Sequence, residues 1–212
     1  MVRVGLLLGF FGAAMMFSAC SDDDEDINYP SAVTELAEVT TDADSLVKNI
    51  TTDSGRSFVP QQPITAYAPD TLLRCLCMYQ EEKGHTAVVY QLAGIVSARP
   101  VDVQKLKETP QDPVTVISSW NTARYINVYF SMRTTGVDKH GLGFCDDGIT
   151  TETDGTRIAH IRLLHKRPEK DAESYSQKSY VSLPAYLYEG QADSIAFSIQ
   201  TYDGTFTKGF RF

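Results

Sequence analysis

The most legible chemistry in this chain sits at Cys20. Ser18 and Ala19 precede it, two small side chains that fit a narrow peptidase cleft. Ahead of them an uncharged apolar run covers residues 4–17, introduced by Arg3. A basic residue, a short apolar core, small residues and then a cysteine is the order in which a thiol accepts a diacylglycerol and the leading peptide is removed. The run is shorter than the ~20 apolar residues that cross a bilayer, which argues for a signal peptide at 1–19 and an acyl anchor on Cys20 over a transmembrane helix. An ordinary signal peptide with a chance cysteine is the competing reading.

The other cysteines, Cys75, Cys77 and Cys145, allow at most one disulfide. Cys75 and Cys77 alternate with Leu76 and would face one side of a strand. Joining them to each other strains an extended backbone, so a bond would run from one of them to Cys145. Buried free thiols are the plainer expectation. The histidines are His85, His140, His160 and His165. His160 and His165, five apart, face opposite sides of a strand and cannot share an ion without a bulge. Asp42 and Asp44 lack the glycine and distal Glu of a calcium loop. Asp146, Asp147, Gly148, Glu152 and Asp154 form a denser group, for which Asx-type turns are the simpler account. No metal or cofactor is expected.

Catalysis finds no constellation either. The chain has no Gly-x-Ser-x-Gly elbow, phosphate-binding Gly loop or His-Glu-x-x-His. His140 and Cys145 are badly spaced on a strand for a thiolate pair. A non-enzyme is expected. Aromatic residues offer a different chemistry: Tyr186 and Tyr188 would share a strand face, and Trp120 and Tyr125 flank a turn. Exposed rings stack on sugars, whereas sheet packing uses the same residues for the core.

Charge narrows the partners. The chain carries −8 with a sequence pI near 4.9. Nucleic acid requires clustered Lys and Arg, and acids outnumber bases across residues 30–99. An anionic membrane surface repels such a body, so membrane attachment would come from lipid. The acidic stretch after Cys20 reads as an extended tether over 20–29, because like charges repel.

These groups must be positioned by strands. Residues 32–41 alternate, 42–45 turn, 46–52 form a second strand, 53–55 turn, and 56–59 begin a third. Pro60, Pro63 and Pro69 bar a helix in the next segment. Residues 71–80 and 86–92 read as a hairpin. Five short strands over 30–99 suggest a small barrel, whose closure removes exposed edges. Residues 100–112 read as a linker with a helical turn near 103–107. Beyond it come strands near 114–120, 125–133, 141–145, 158–165, 176–183, 194–201 and 205–212, the spacing of an antiparallel sandwich over 113–212. In 125–133, Ile126, Val128, Phe130 and Met132 should face the core.

Several weak motifs then occur in order: Tyr29-Pro30-Ser31, Asp42-Ala43-Asp44, Thr52-Asp53-Ser54-Gly55, Pro69-Asp70, Ser97-Ala98-Arg99-Pro100, and Asp112-Pro113-Val114 leading to Trp120 and Tyr125-Ile126-Asn127. With the Cys20 segment they resemble the NigD-like lipoproteins of Bacteroidetes. The resemblance implies an all-β fold, a small OB-like barrel followed by a β-sandwich, and supplies no catalytic residues. It also makes Ser21, Asp22, Asp23, Asp24, Glu25 and Asp26 similar to the export signal that sends lipoproteins of this phylum to the outer face of the outer membrane. A solubilising tether, with the protein facing the periplasm, is the alternative. The resulting expectation is a non-catalytic, lipid-anchored envelope protein that contacts another envelope protein or a glycan. Protection against a bacteriocin follows from the family name, and an envelope hydrolase is the least favoured reading.

Overall fold

The computed structural model describes residues 32–66, 68–136, 139–169 and 175–212. Its first part is a closed barrel of β1 (Val33–Thr41), β2 (Val47–Thr52), β3 (Ser57–Pro60), β4 (Leu72–Glu82) and β5 (Thr86–Gly94), in the order β1-β2-β3-β5-β4. Every ladder is antiparallel except β3 with β5. Alternation sends Ala37, Val39, Ile50, Phe58, Cys75, Cys77 and Tyr79 into the barrel core. The β1–β2 turn forms because Asp42 Oδ1 accepts from the backbone N–H of Asp44 and Leu46. The small barrel expected from the strand count, and implied by the resemblance to be OB-like, is therefore present.

The second part packs two sheets. One holds β6 (Val101–Asp102), β9 (Gly141–Thr151), β10 (Arg157–Lys166), β12 (Ser194–Thr201) and β13 (Gly204–Arg211), in the order β13-β12-β10-β9-β6. The other is β11-β8-β7, with β7 at Thr115–Asn121, β8 at Tyr125–Thr134 and β11 at Tyr175–Pro184. Ile126, Val128, Phe130 and Met132 face Phe144, Ile161, Ile195 and Phe197 in the core between them, as their alternation predicted.

Three expectations need correction. The sandwich is not wholly antiparallel: β10 with β12 and β6 with β9 run parallel. The chain leaves β10, crosses to the other sheet as β11 and returns as β12, and a crossover of that length permits parallel pairing. Asp146-Asp147-Gly148, read as Asx-type turn residues, keep that contact, Gly148 N–H donating to Asp146 Oδ1, but lie within β9. Asp147 and Gly148 together stand opposite His160, a bulge that Gly148 accommodates at φ 99°. The linker at residues 100–112 carries the helical turn expected near 103–107, as a 3-10 turn at Val103–Lys105, but it is also part of the sandwich: it supplies β6, and Gln111 bridges to His165.

Candidate functional site

The buried polar side chains Arg74, Asn127 and Ser182 converge where barrel meets sandwich. Arg74 lies in β4 within Leu72-Leu73-Arg74-Cys75-Leu76-Cys77, a charge inside an apolar strand. The inward positions Leu73, Cys75 and Cys77 fix its side chain on the outer face of the barrel. On the sandwich, β8 presents Tyr125 and Asn127 from the face opposite its core residues, and β11 presents Ser182. Arg74 retains 4% of its accessible surface, and Asn127 and Ser182 retain none.

The contacts form a closed set. Arg74 Nη2 donates to Asp53 Oδ2 at 2.5 Å and to Asn127 Oδ1 at 3.3 Å, while Nε donates to Ser182 Oγ at 3.2 Å. Ser182 donates to Asn127 Oδ1 at 2.6 Å, and Asn127 Nδ2 donates to Asp53 at 3.1 Å. The Tyr125 ring covers the guanidinium at 4.1 Å. Arg74 Nη1 alone is buried without a hydrogen-bond partner among the described residues. Such an orphan costs about 1–3 kcal/mol. Beside this set, Tyr125 Oη and Arg124 Nε both donate to Glu38 Oε1, at 2.8 and 2.7 Å, and Arg124 lies 4.4 Å over Tyr186. Burial and the bond to Glu38 push the Tyr125 phenol well above its ordinary range.

Two cavities flank the junction. One of about 200 Å³ is lined by Thr71, Leu72, Arg74, Ser97, Arg99, Tyr125, Pro184, Tyr186 and Leu187. The other, about 400 Å³, lies against Glu35, Leu36, Asp53, Trp120 and Tyr180. A longer groove of about 670 Å³ separates the edge strands β7 and β13. It is tied at one end by Val114 N–H to Gln200 O and at the other by Lys208 Nζ to Ser119 O.

Of the residues singled out from sequence, Tyr125, Tyr186 and Trp120 meet at the junction of barrel and sandwich, and the cysteines, histidines and acidic groups do not. Cys20, Ser21, Asp22, Asp23, Asp24, Glu25 and Asp26 lie outside the described residues. Cys75, Cys77 and Cys145 are free thiols. Burial pushes Cys75 up to about 11 and Cys77 up to about 12, so both are protonated and unreactive at neutral pH. Cys145 donates to Asp147, which Arg162 pairs. His160 bonds Thr150, whereas His165 is buried with Nδ1 2.8 Å from Asp112 O and Nε2 2.8 Å from His140 Nδ1. Burial lowers the His165 pKa. No group of three or more His, Cys, Asp or Glu among the described residues is placed to hold a metal. The acids near 146–154 serve separate local roles: Asp146 accepts from Tyr188 Oη, Asp147 pairs Arg162, and Asp154 accepts from Thr156 N–H.

Tyr186 and Tyr188 do not share a strand face. They lie in a 3-10 turn at Ala185–Tyr188, Tyr188 is buried, and Tyr186 packs edge-on against Tyr125. Pro184 was the signal for this: it lacks the N–H that would continue a ladder. Sequence reasoning also missed Arg74, Asp53, Asn127 and Ser182. A lone arginine in an apolar strand was the available signal for the first, and nothing local marked its partners.

Comparison with known proteins places the whole arrangement. The NigD-like C-terminal beta sandwich domain matches residues 97–210, just over half of the chain. A NigD-like immunity protein from Bacteroides caccae is 25% identical, with a TM-score of 0.65 over 86% of this chain and 93% of that one. A toxin-related protein from Parabacteroides distasonis shares the fold at 16% identity, TM-score 0.66, over 86% and 93%. A lipoprotein from Bacteroides fragilis does so at 15%, TM-score 0.58, over 85% and 96%. No curated protein matches the chain.

Proposed function

The chain belongs to the NigD-like family, and on that footing we propose that it is a lipid-anchored, non-catalytic envelope protein that acts by binding another protein, protecting the cell from a bacteriocin. The observation that carries this reading is the likeness to the Bacteroides caccae immunity protein, which extends over barrel and sandwich alike. The chemistry of the described residues agrees with a binding role. The three buried thiols are held protonated or paired, and His140, His160 and His165 are engaged within the fold. The edges of β7 and β13 leave backbone donors and acceptors on which an extended segment of a partner can add a strand.

Nucleic acid is a poor partner for the barrel. Lys48 pairs Asp42, and Arg56 pairs Glu35 and Glu81, so these cations of the β2–β3 face already hold carboxylates. A glycan platform is also disfavoured, because Tyr188 is buried and Tyr186 is covered by Arg124 and Tyr125. The membrane is reached through acyl chains on Cys20. Ser21 to Asp26 direct display on the outer face of the outer membrane, a periplasm-facing protein being the alternative. No helix among the described residues is long and apolar enough to cross a membrane.

The test is genetic and biochemical. A deletion strain challenged with bacteriocins of related bacteria becomes sensitive to at least one, and the wild-type gene restores resistance. Unchanged sensitivity to the whole panel refutes the protective role. In fractionation, Cys20→Ala leaves the membrane; retention at the wild-type level refutes the anchor. Neutral replacement of Asp22 to Asp26 reduces cleavage by protease added to whole cells, and equal cleavage refutes the export role.

A further inference from the structure

We infer that the cavity beside Arg74 binds a carboxylate group. The cavity lies where the start of β4, residues 97–99, the start of β8 and the Ala185–Tyr188 turn come together, and its volume of about 200 Å³ matches roughly seven waters at about 30 Å³ each. That room suits a group the size of acetate or an amino-acid carboxylate.

Its charge is one-sided. Arg74 and Arg99 are the charged lining residues, and no acid lines it, in a chain of net charge −8. The neighbouring acids are engaged elsewhere: Glu38 by Arg124 and Tyr125, and Asp53 by Arg74 and Asn127. Arg99 forms no ion pair among the described residues, and its charge reaches Tyr188 in the adjacent turn.

Arg74 supplies the second observation. Its side chain is 2% exposed. The guanidinium edge carrying Nε and Nη2 is occupied by Ser182, Asn127 and Asp53, none of which lines the cavity. The orphan Nη1 lies on the other edge. A planar guanidinium with a free nitrogen, joined by a second guanidinium, is the donor set that recognises a carboxylate. Thr71, Ser97 and Tyr186, each carrying a hydroxyl, line the remaining wall. The carboxylate comes from a free small acid or from the end of a polypeptide, and both present the same planar anion.

The experiment is an NMR titration of the isotope-labelled protein at constant ionic strength. The probes are acetate, a short peptide with a free C-terminal carboxylate, its C-terminal amide, and inorganic phosphate. Acetate or the free-acid peptide should shift the Arg74 and Arg99 Nε–H signals and the amides of 71–74 and 185–187 saturably, with acetate in the millimolar range. Arg99→Gln, exposed and outside the junction contacts, should weaken binding about tenfold, the loss of one charge-assisted bond. Arg157→Gln, elsewhere on the surface, should leave it unchanged. Acetate alone saturating identifies a free acid as ligand; tighter binding of the free-acid peptide than of its amide identifies a polypeptide end. No saturable shift with either probe, equal binding by Arg99→Gln, or phosphate binding as well as acetate would each overturn the assignment.

Discussion

Replacing Asp53 with Ala would strip Arg74 of the carboxylate that pairs with it while leaving the guanidinium buried between barrel and sandwich. Breaking a buried ion pair by removing one partner destabilises by about 3–5 kcal/mol, most of it the uncompensated charge left behind. The Asp53 side chain is 18% exposed and Arg74 only 2%, so water can reach the vacated side and the low end applies, about 3 kcal/mol. For a body of this size that lowers Tm by roughly 6–12 °C. Trp120, the single tryptophan, lines the same cavity as Asp53, so urea unfolding followed by its fluorescence reads the junction directly, with far-UV circular dichroism as the second probe. A loss below about 1 kcal/mol would refute the reasoning. Asp53→Ala with Arg74→Met must be more stable than Asp53→Ala alone, because the apolar pair leaves no stranded charge. A double variant at or below the single one would show that packing, rather than charge, sets the penalty.

Other outcomes follow from the same structure. Burial lowers the His165 pKa, so the folded state prefers the neutral ring; stability is full above the ordinary value of 6.5 and falls as pH drops below it. Denaturation between pH 7.5 and 5 should show this loss, at most about 1.4 kcal/mol per pH unit for one proton, and His165→Asn should flatten it. Asp147 is held below 3.8, chiefly by its bond to Arg162; stability from this pair is present above that value and is lost as pH falls further, a limb that Arg162→Gln should remove. The thiols of Cys75, Cys77 and Cys145 should resist a disulfide reagent at pH 8 in the folded body and react in full after denaturation; rapid native labelling would contradict their burial. Phe58→Ala empties the ring position packed 4.5 Å from Tyr79 and should destabilise by about 3–5 kcal/mol in urea unfolding, with a loss under 1 kcal/mol counting against that packing.

Much of the architecture is legible because a period of two is a strong signal. It located β8 and β12 almost to the residue and put Ile126, Val128, Phe130 and Met132 on the buried face. The same rule assigned Tyr125 and Asn127 to the outer face, and they do lie there. That face is nevertheless buried, because a second module covers it, and alternation carries no information about what lies beyond a sheet. Asn127, Arg74 and Ser182 are 53 and 55 residues apart in sequence, so no window joins them. The bulge at Asp147 and Gly148 was hidden by composition: Asp-Asp-Gly looks like a turn, and its ladder partner His160 is named only by the register. His140 and His165 were visible as histidines, but their pairing depends on how β9 and β10 align.

A chain that emerges from its N-terminus can close the barrel once Gly94 is free, since β1 to β5 contain every ladder of that sheet. Asn127 and Ser182 do not yet exist as partners at that moment, and Arg74 stands on the outside of a finished barrel as a hydrated cation next to Leu72. With an apolar residue at 53 as well, an apolar residue at this position would serve the completed fold as well or better. In the half-made one it would leave a sticky patch, the kind of surface through which incompletely folded chains aggregate. The arginine, paired with Asp53 of the same barrel from the start, would keep that face hydrated until β8 and β11 bring Asn127 and Ser182, so its placement suits the order of assembly as well as the finished fold.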